Sequence, residues 1–212
     1  MEIHRFTFNP FQENTYLLTA DDGSCIIVDP GMVDRGEKHR LFGFIEEEGL
    51  QPISLVNTHC HIDHVLGNHA VHKQYGLKPV YHSKEQRQLD MCIQVSQLYG
   101  IPYEKGPSAE THLDSLEPIH IGEEELELRF VPGHAPGHIV VIHHGIGSVI
   151  GGDTLFRGSI GRTDLPGGDH ETLLVSIREE LYSLPDDYTV WPGHGPETTI
   201  GFEKESNPFI QA

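Results

Sequence analysis

Residues 58 to 64 read Thr-His-Cys-His-Ile-Asp-His, which places three imidazoles and a carboxylate within six positions, directly after the apolar stretch Ile53-Ser-Leu-Val-Asn-Thr. Donors packed this densely are costly to hold together unless a cation binds them. In an extended segment His59 and His61 point to one face, while Asp63 and His64 follow as the chain turns, so the four donors can converge on adjacent metal positions. The pattern therefore reads as a two-metal hydrolytic centre. The competing reading is a surface histidine cluster, because a His-x-His pair on a wet strand is common and binds metal weakly. The carboxylate and third histidine in register, and further donors downstream, favour the metal site. Alternation points Cys60 away from its two neighbours, so it reads as small apolar filling rather than a ligand.

Three further donors lie downstream. His134 stands in Val-Pro-Gly-His-Ala-Pro-Gly-His, Asp153 in Val-Ile-Gly-Gly-Asp-Thr and His194 in Val-Trp-Pro-Gly-His-Gly-Pro. Each follows an apolar, strand-like run and sits beside glycine or proline. Singly, each has a bland explanation as a turn residue. Together they supply the missing ligands, because strand ends presenting donors at one rim assemble a metal site on a rigid scaffold.

The strands expected first are Ile3 to Phe8, Thr15 to Thr19 and Cys25 to Val28, an antiparallel meander punctuated by Asn9-Pro10 and Asp21-Asp22-Gly23. Asp34 to Glu48 reads as a helix stopped by Gly49. The strand delivering the histidine motif follows, then a strand near Pro79 to His82. A helix from about Ser83 to Tyr99 is expected to open with a capping box, Ser83-Lys-Glu-Gln86. Gly100 to Glu117 reads as a loop. Strands recur at Ile119, Leu126 to Val131, Ile139 to His143 and Ser148 to Ile150, before a helix from Glu171 to Leu184 and a strand from Tyr188 to Trp191. Hairpins and crossovers are mixed, so two mixed sheets with outer helices fit better than a doubly wound sheet.

The chain has 212 residues and no long linker, so a single domain spanning 1–212 is expected. No apolar run approaches the roughly 20 residues needed to span a bilayer. The first residues show no basic region followed by an apolar stretch, so a cytoplasmic location is expected. Cys25, Cys60 and Cys92 are odd in number and widely spaced, which suits reduced thiols. The formal charge of -18 repels polyanions, and no Lys/Arg cluster offsets it, so nucleic acid is excluded as a partner class. No membrane partner is expected either, and the oligomeric state is not encoded in any visible pattern.

The motif His59-x-His61-x-Asp63-His64, followed in order by His134, Asp153 and His194, resembles the signature of the metallo-β-lactamase-fold hydrolases over essentially the whole chain. The resemblance implies an α/β fold, a four-layer αββα sandwich of two mixed β-sheets flanked by helices. It implies that His59, His61 and His134 hold one metal, that Asp63, His64 and His194 hold a second, and that Asp153 bridges them. The cofactor expected is two divalent ions, zinc first, with iron or manganese as alternatives, and the nucleophile a metal-bound hydroxide that Asp63 orients or deprotonates. Asp29, in Ile-Ile-Val-Asp-Pro-Gly, would hold the histidine loop by hydrogen bonding. His138 would be structural. His4, His39, His69, His72, His82, His112, His120, His143, His144 and His170 have no donor partner at ligand spacing and read as ordinary.

The segment Asp153 to Asp169, Asp-Thr-Leu-Phe-Arg-Gly-Ser-Ile-Gly-Arg-Thr-Asp-Leu-Pro-Gly-Gly-Asp, is similar to that of small glyoxalase II-like proteins, which hydrolyse acyl-glutathione thioesters such as S-lactoylglutathione. A thiolate leaving group needs little protonation, so such a site can work without a strong general acid. Full-length glyoxalase II enzymes carry an additional C-terminal helical domain, whereas only about eighteen residues follow His194 here. Arg157 and Arg162 are candidates for an anionic substrate, with pairing to Asp164, Asp169 or backbone as the competing role. One alternative function is a persulfide dioxygenase of the same fold, with one iron on His59, His134 and Asp153. Another is a non-catalytic metal-binding module.

Overall fold

The computed structural model describes residues 1–210, and the chain divides into two compact units. Unit 1 comprises Met1–Asp114 and His120–Glu124; unit 2 comprises Ser115–Ile119 and the chain from Glu125 onward. Each is built on a mixed sheet.

Unit 1 opens with β1 (Glu2–Phe8), β2 (Glu13–Thr19) and β3 (Ser24–Val28), paired antiparallel as expected from their alternation. β2 is buried along its whole length because it is central, whereas β1 alternates between exposed and covered positions as an edge strand does. The helix α1 (Arg35–Glu47) begins at Asp34, whose side chain accepts from Glu37 N while Glu37 reaches back to the Asp34 backbone. Next, β4 (Gln51–Val56) and β5 (Pro79–Val80) add to β3 in parallel, giving the order β1-β2-β3-β4-β5. One core cluster joins Leu17, Ile27 and Leu55 to Leu41 and Ile45 of α1. Each such buried aliphatic side chain contributes roughly 1.5–3 kcal/mol.

Between β4 and β5 the sequence pattern gave no helix, yet two are present: a single turn α2 (Ile62–Val65) and α3 (Asn68–Tyr75), closed by Gly76. Their apolar residues are too few to mark a helical stripe; Val71 is the one buried aliphatic of α3. The helix expected from Ser83 is a 3-10 turn, Ser83–Glu85, running into α4 (Gln86–Tyr99). His82 rather than Ser83 caps it, with Nδ1 accepting from Lys84 N. Gln86 is drawn instead to Tyr81 Oη and Asp90, so the expected capping box does not form.

The second sheet runs β13-β12-β9-β8-β7-β6. Its strands are β6 (Ile119–Ile121), β7 (Glu124–Phe130), β8 (Ile139–His143), β9 (Ser148–Gly152), β12 (Thr189–Pro192) and β13 (Thr198–Thr199). β8 and β9 are wholly buried and antiparallel, while β12 joins β9 in parallel. A two-stranded hairpin, β10 (Leu155–Phe156) with β11 (Ser159–Ile160), interrupts the segment after Asp153. The expected 171–184 helix is α5 (His170–Ser176), capped by Asp169 and continued by a π-helical turn, Ile177–Leu181. A short α6 (Ile200–Ser206) follows β13. Leu173, Ile177 and Leu181 pack with Val131, Val140, Ile142, Val149 and Val190 to form the core of this unit. Among the described residues, no helix is long and apolar enough to cross a membrane.

Glu37 ties three backbone amides together. Its Oε1 accepts from Asn9 N at 2.7 Å and its Oε2 from Val33 N at 2.7 Å, besides capping α1. Asp34→Ala removes one cap bond and should cost about 1 kcal/mol. Glu37→Ala leaves two part-buried amides without acceptors and should cost about 2 kcal/mol or more. Urea unfolding of both variants checks the order, and equal losses would sink it.

Candidate metal centre

In unit 1 the donors are delivered by the C-terminal ends of two neighbouring parallel strands. Val28 and Val56 are in register, and Asp29 N continues the ladder by donating to Val56 O at 3.0 Å. Asp29 therefore leaves β3 beside the segment Asn57–His61 that leaves β4. Its backbone is left-handed, at φ 49°, a conformation that an aspartate tolerates only under compensation. The compensation is dense: Asp29 Oδ1 accepts from Thr58 N at 2.7 Å, and Oδ2 accepts from Thr58 Oγ1 at 2.6 Å and meets His64 Nδ1 at 3.1 Å.

His59 and His61 do not lie on a strand, as an extended reading of the motif would have it. They occupy the loop after β4, and His61 is the N-cap of α2, so that Asp63 and His64 fall in its single turn. This loop-to-helix change brings their side chains near one another. The His59 ring centroid is 4.8 Å from that of His61 and 4.1 Å from that of His64. Asp63 Oδ2 lies 3.7 Å from His64 Nε2. Donor atoms of Asp29, His59 and His64 all fall within 4.8 Å of one another. Asp29, however, has both oxygens engaged with Thr58 and His64. It acts from behind the histidine: a carboxylate holding Nδ1–H directs the Nε2 lone pair outward.

Behind the loop lies a polar layer that the motif did not announce. Asn9 Nδ2 donates to Gly31 O and Asp63 O, at 3.0 and 3.1 Å. Asn57 Nδ2 donates to His64 O at 3.0 Å, and Asn68 Nδ2 to Asn57 Oδ1 at 2.9 Å. The buried Glu85 accepts from Cys60 N at 2.8 Å. Glu13 is fully buried with Oε1 4.0 Å from His64 Nδ1. Burial pushes its carboxyl well up, with His64 opposing and Asp29 and Asp63 adding to the rise. A side chain on Gly31 would run into Glu13, Asn9 and the Asp63 carbonyl, so only glycine fits there. The signal available in sequence was Glu13-Asn-Thr, three polar residues opening an otherwise apolar strand. Cys60 is buried among Val65, Leu66, Tyr81, Leu89 and Cys92, as expected of apolar filling.

Unit 2 repeats the principle. β7, β9 and β12 run in one direction, because β8 is antiparallel to both β7 and β9 and β12 is parallel to β9. Their C-terminal ends carry His134, Asp153 and His194. Asp153 Oδ2 is 3.5 Å from His134 Nε2 and 3.5 Å from His194 Nε2. Asp153 and His134 are nearly buried, and His194 is more open. His134 Nδ1 lies 2.8 Å from the Arg162 carbonyl, which favours the proton on Nδ1 and leaves the lone pair on Nε2. His138 Nε2 accepts from Asp153 N at 3.0 Å, the structural role expected for it. Gly193 N donates to Gly152 O at 2.7 Å, and Asp169 N to Gly133 O at 2.7 Å, pinning the loops that carry His194 and His134. A side chain on Gly161 would collide with the Asp153 carbonyl.

Of the two arginines named as anion candidates, Arg162 makes a bidentate pair with Asp164, both bonds 2.7 Å. That pairing draws the Asp164 carboxyl down to about 2. Asp169 instead caps α5, accepting from Thr172 N. His144, read as ordinary, bonds Glu127 and Tyr188 Oη away from the donor sets.

The donor chemistry of both units, imidazole and carboxylate, with the far nitrogens of His64 and His134 held by acceptors, fits divalent transition metals. The chain matches the description "Metallo-beta-lactamase superfamily" over residues 8–194 and belongs to that superfamily. It is 40% identical to the "Probable metallo-hydrolase YqgX" of Bacillus subtilis (strain 168), covering 99% of this chain and 98% of the relative. It is 36% identical to the "Hydroxyacylglutathione hydrolase GloC" of Haemophilus influenzae, covering 100% and 99%. Among solved structures it is similar to the BLEG-1 B3 metallo-beta-lactamase, with a TM-score of 0.91, 34% identity and full coverage of both chains. It is also similar to TTHA1623 in a di-iron-bound form, with a TM-score of 0.87, 33% identity and coverage of 98% and 100%. The α/β fold with two mixed sheets and flanking helices is the one expected, and the class is that of metal-dependent hydrolases.

Asp29→Asn replaces an acceptor of three hydrogen bonds by a group that must turn a donor toward Thr58 or His64. Metal affinity should fall about 10- to 100-fold, read by chelator competition. Affinity equal to that of the unmodified protein would remove Asp29 from this role. Burial raises the Cys60 thiol well above its ordinary value and pushes Cys25 and Cys92 up to about 12. A thiol reagent at pH 8 should therefore label none of the three in folded protein and all three in urea.

Proposed function

We propose that the chain hydrolyses a carboxylate-bearing thioester of the acyl-glutathione type, S-lactoylglutathione or a close relative, at a two-metal centre. In this reading His59, His61 and His134 hold one ion, Asp63, His64 and His194 hold the other, and Asp153 serves both. In this reading the chain serves as a single catalytic domain. The observation that carries the proposal is the position of Asp153, one carboxylate oxygen equidistant, at 3.5 Å, from the imidazole nitrogens assigned to different ions. A bridging carboxylate needs that symmetry. The 36% identical hydroxyacylglutathione hydrolase, matched over its full length, supports the substrate class.

Bound divalent ions, zinc in the first instance, would supply Lewis acidity, lowering the pKa of water toward about 7 and polarising the thioester carbonyl. The residues of the chain do the rest. Asp63, 15% exposed and beside His64, is placed to orient the attacking water or accept its proton. Asp29 and the Arg162 carbonyl hold His64 and His134 with their Nε2 atoms presented. No strong acid is required on the departing side, because a thiolate leaves without prior protonation. The formal charge of -18 supports a small substrate over a nucleic-acid backbone.

Asp153→Ala should lower metal occupancy at both positions, and His194→Ala mainly at one, by metal analysis of the purified variants. Two tightly held ions in Asp153→Ala would falsify the bridging assignment. Zinc-loaded protein kept free of oxygen should hydrolyse S-lactoylglutathione, and His194→Ala should reduce kcat/KM about 100-fold or more. Oxygen uptake with glutathione persulfide, confined to iron-loaded protein and undiminished in His194→Ala, would instead establish a mononuclear dioxygenase. Metal uptake without turnover of either substrate would leave a binding module. Cys60→Ala, deleting a sulfur packed away from the donors, should retain most activity.

A further inference from the structure

Unit 2 carries five basic residues, Arg129, Arg157, Arg162, Arg178 and Lys204. Three are consumed by carboxylates: Arg129 by Glu127, Arg162 by Asp164 and Lys204 by Asp186, all with contacts of 2.6–2.7 Å. Arg178 projects from the π-helical turn after α5. Arg157 is different. It is exposed and makes no ion pair among the described residues, although the chain holds 32 acidic residues against 14 basic ones. Its guanidinium carbon lies 5.5 Å from the Phe202 ring centroid, stacked on α6. Stacking occupies one face of the guanidinium and leaves its in-plane N–H groups available to an anion.

The backbone beneath this arginine is fixed with unusual thoroughness. Arg157 and Gly158 form the two-residue tip of the β10–β11 hairpin, with Gly158 at φ +68°. Glu203 of α6 is fully buried, and both its oxygens accept from Gly158 N, at 3.1 and 3.0 Å. The same carboxylate accepts from Thr198 Oγ1 and Asn207 Nδ2, and Asn207 Nδ2 also donates to Ser159 O at 3.0 Å. At the other end of the tip, the Phe156 ring stands edge-on to His194, with centroids 6.3 Å apart. A rigid hairpin thus sets an aromatic ring against an assigned ligand and, one residue on, a stacked arginine without a carboxylate.

We propose that Arg157 is a specificity-determining residue that binds a carboxylate in the thiol portion of the substrate, with Phe202 and Glu203 as its positioning residues. The inference rests on the thioesterase reading and narrows it to anionic thioesters. A guanidinium held on a ring over a fixed turn loses little freedom on binding, so the charge-assisted hydrogen bond is not offset by ordering a loose side chain.

The test compares metal-loaded enzyme on two lactoyl thioesters, that of glutathione, whose thiol part carries two carboxylates, and that of N-acetylcysteamine, which carries none. Arg157→Gln should lower the ratio of kcat/KM for the anionic over the neutral thioester about tenfold, through KM. Phe202→Leu should lower it about threefold, again through KM, since the side chain keeps its bulk but loses the ring face. Arg178→Gln removes the same charge elsewhere in the unit and should leave the ratio as it is. A ratio unchanged in Arg157→Gln, or falling equally in Arg178→Gln, overturns the assignment while leaving the hydrolase intact. Failure of the unmodified enzyme on both thioesters overturns the thioesterase reading and this inference with it.

Discussion

The carboxylate of Asp29 is the interaction on which the histidine motif depends. It is 1% exposed and its backbone is held in the left-handed region, two costs that a turn aspartate on the surface would avoid. Both are met by one hydrogen-bond set linking β3 to the loop after β4, through Thr58 N, Thr58 Oγ1 and His64 Nδ1. The Asp29 carbonyl is in turn held by Thr15 Oγ1 from β2, and that oxygen accepts from Gly31 N. Three strand ends are thereby locked together directly behind His59 and His64. The donors owe their placement to this buried frame more than to their own spacing.

Unit 2 solves the same problem with backbone groups. A carbonyl holds His134, an imidazole holds the Asp153 amide, and glycine carbonyls receive the amides that pin the neighbouring loops. Close approach of backbone to backbone explains two of the glycines here, since a side chain at Gly161 has no room beside the Asp153 carbonyl and one at Gly133 none beside the Leu173 backbone. It also explains why the donors sit just past strand ends. A strand interior has no spare amides to hold a ligand loop, whereas the first residues beyond it still lie within reach of their neighbours.

These two solutions differ in how well they can be read from sequence. The donors were legible because histidine and aspartate clustered at ligand spacing have few other uses. Strands such as β2, β8 and β9 were legible because branched apolar runs between turn residues are unambiguous. Helices α2 and α3 were not, because they are short and their buried positions, Ile62, His64 and Val65, then Asn68 and Val71, mix polar with apolar and are too few to mark a stripe. Asn57, Asn68 and Glu85 were not legible as part of the site either. Their function lies in which amide or imidazole they meet across the fold, and nothing local in the sequence distinguishes them from surface polar residues. The hairpin after Asp153 escaped notice for a related reason: each of its strands is two residues long, and what holds it is a carboxylate some 45 positions away, Glu203 to Gly158.

Glu13 and Glu203 are both fully buried acids, yet what their oxygens meet differs. Glu203 faces three donors, Gly158 N, Thr198 Oγ1 and Asn207 Nδ2, so its oxygens are fully engaged and it can serve as a fixed support. Glu13 has one hydroxyl, that of Thr15, and two carboxylates, Asp29 and Asp63, acting on it through the interior. Burial and those acids both disfavour its charge, opposed by His64 and by the Thr15 hydroxyl. Local frustration of this kind is found beside sites rather than in scaffolds. The asymmetry therefore distinguishes the acid that builds the scaffold from the acid that lies beside the donors.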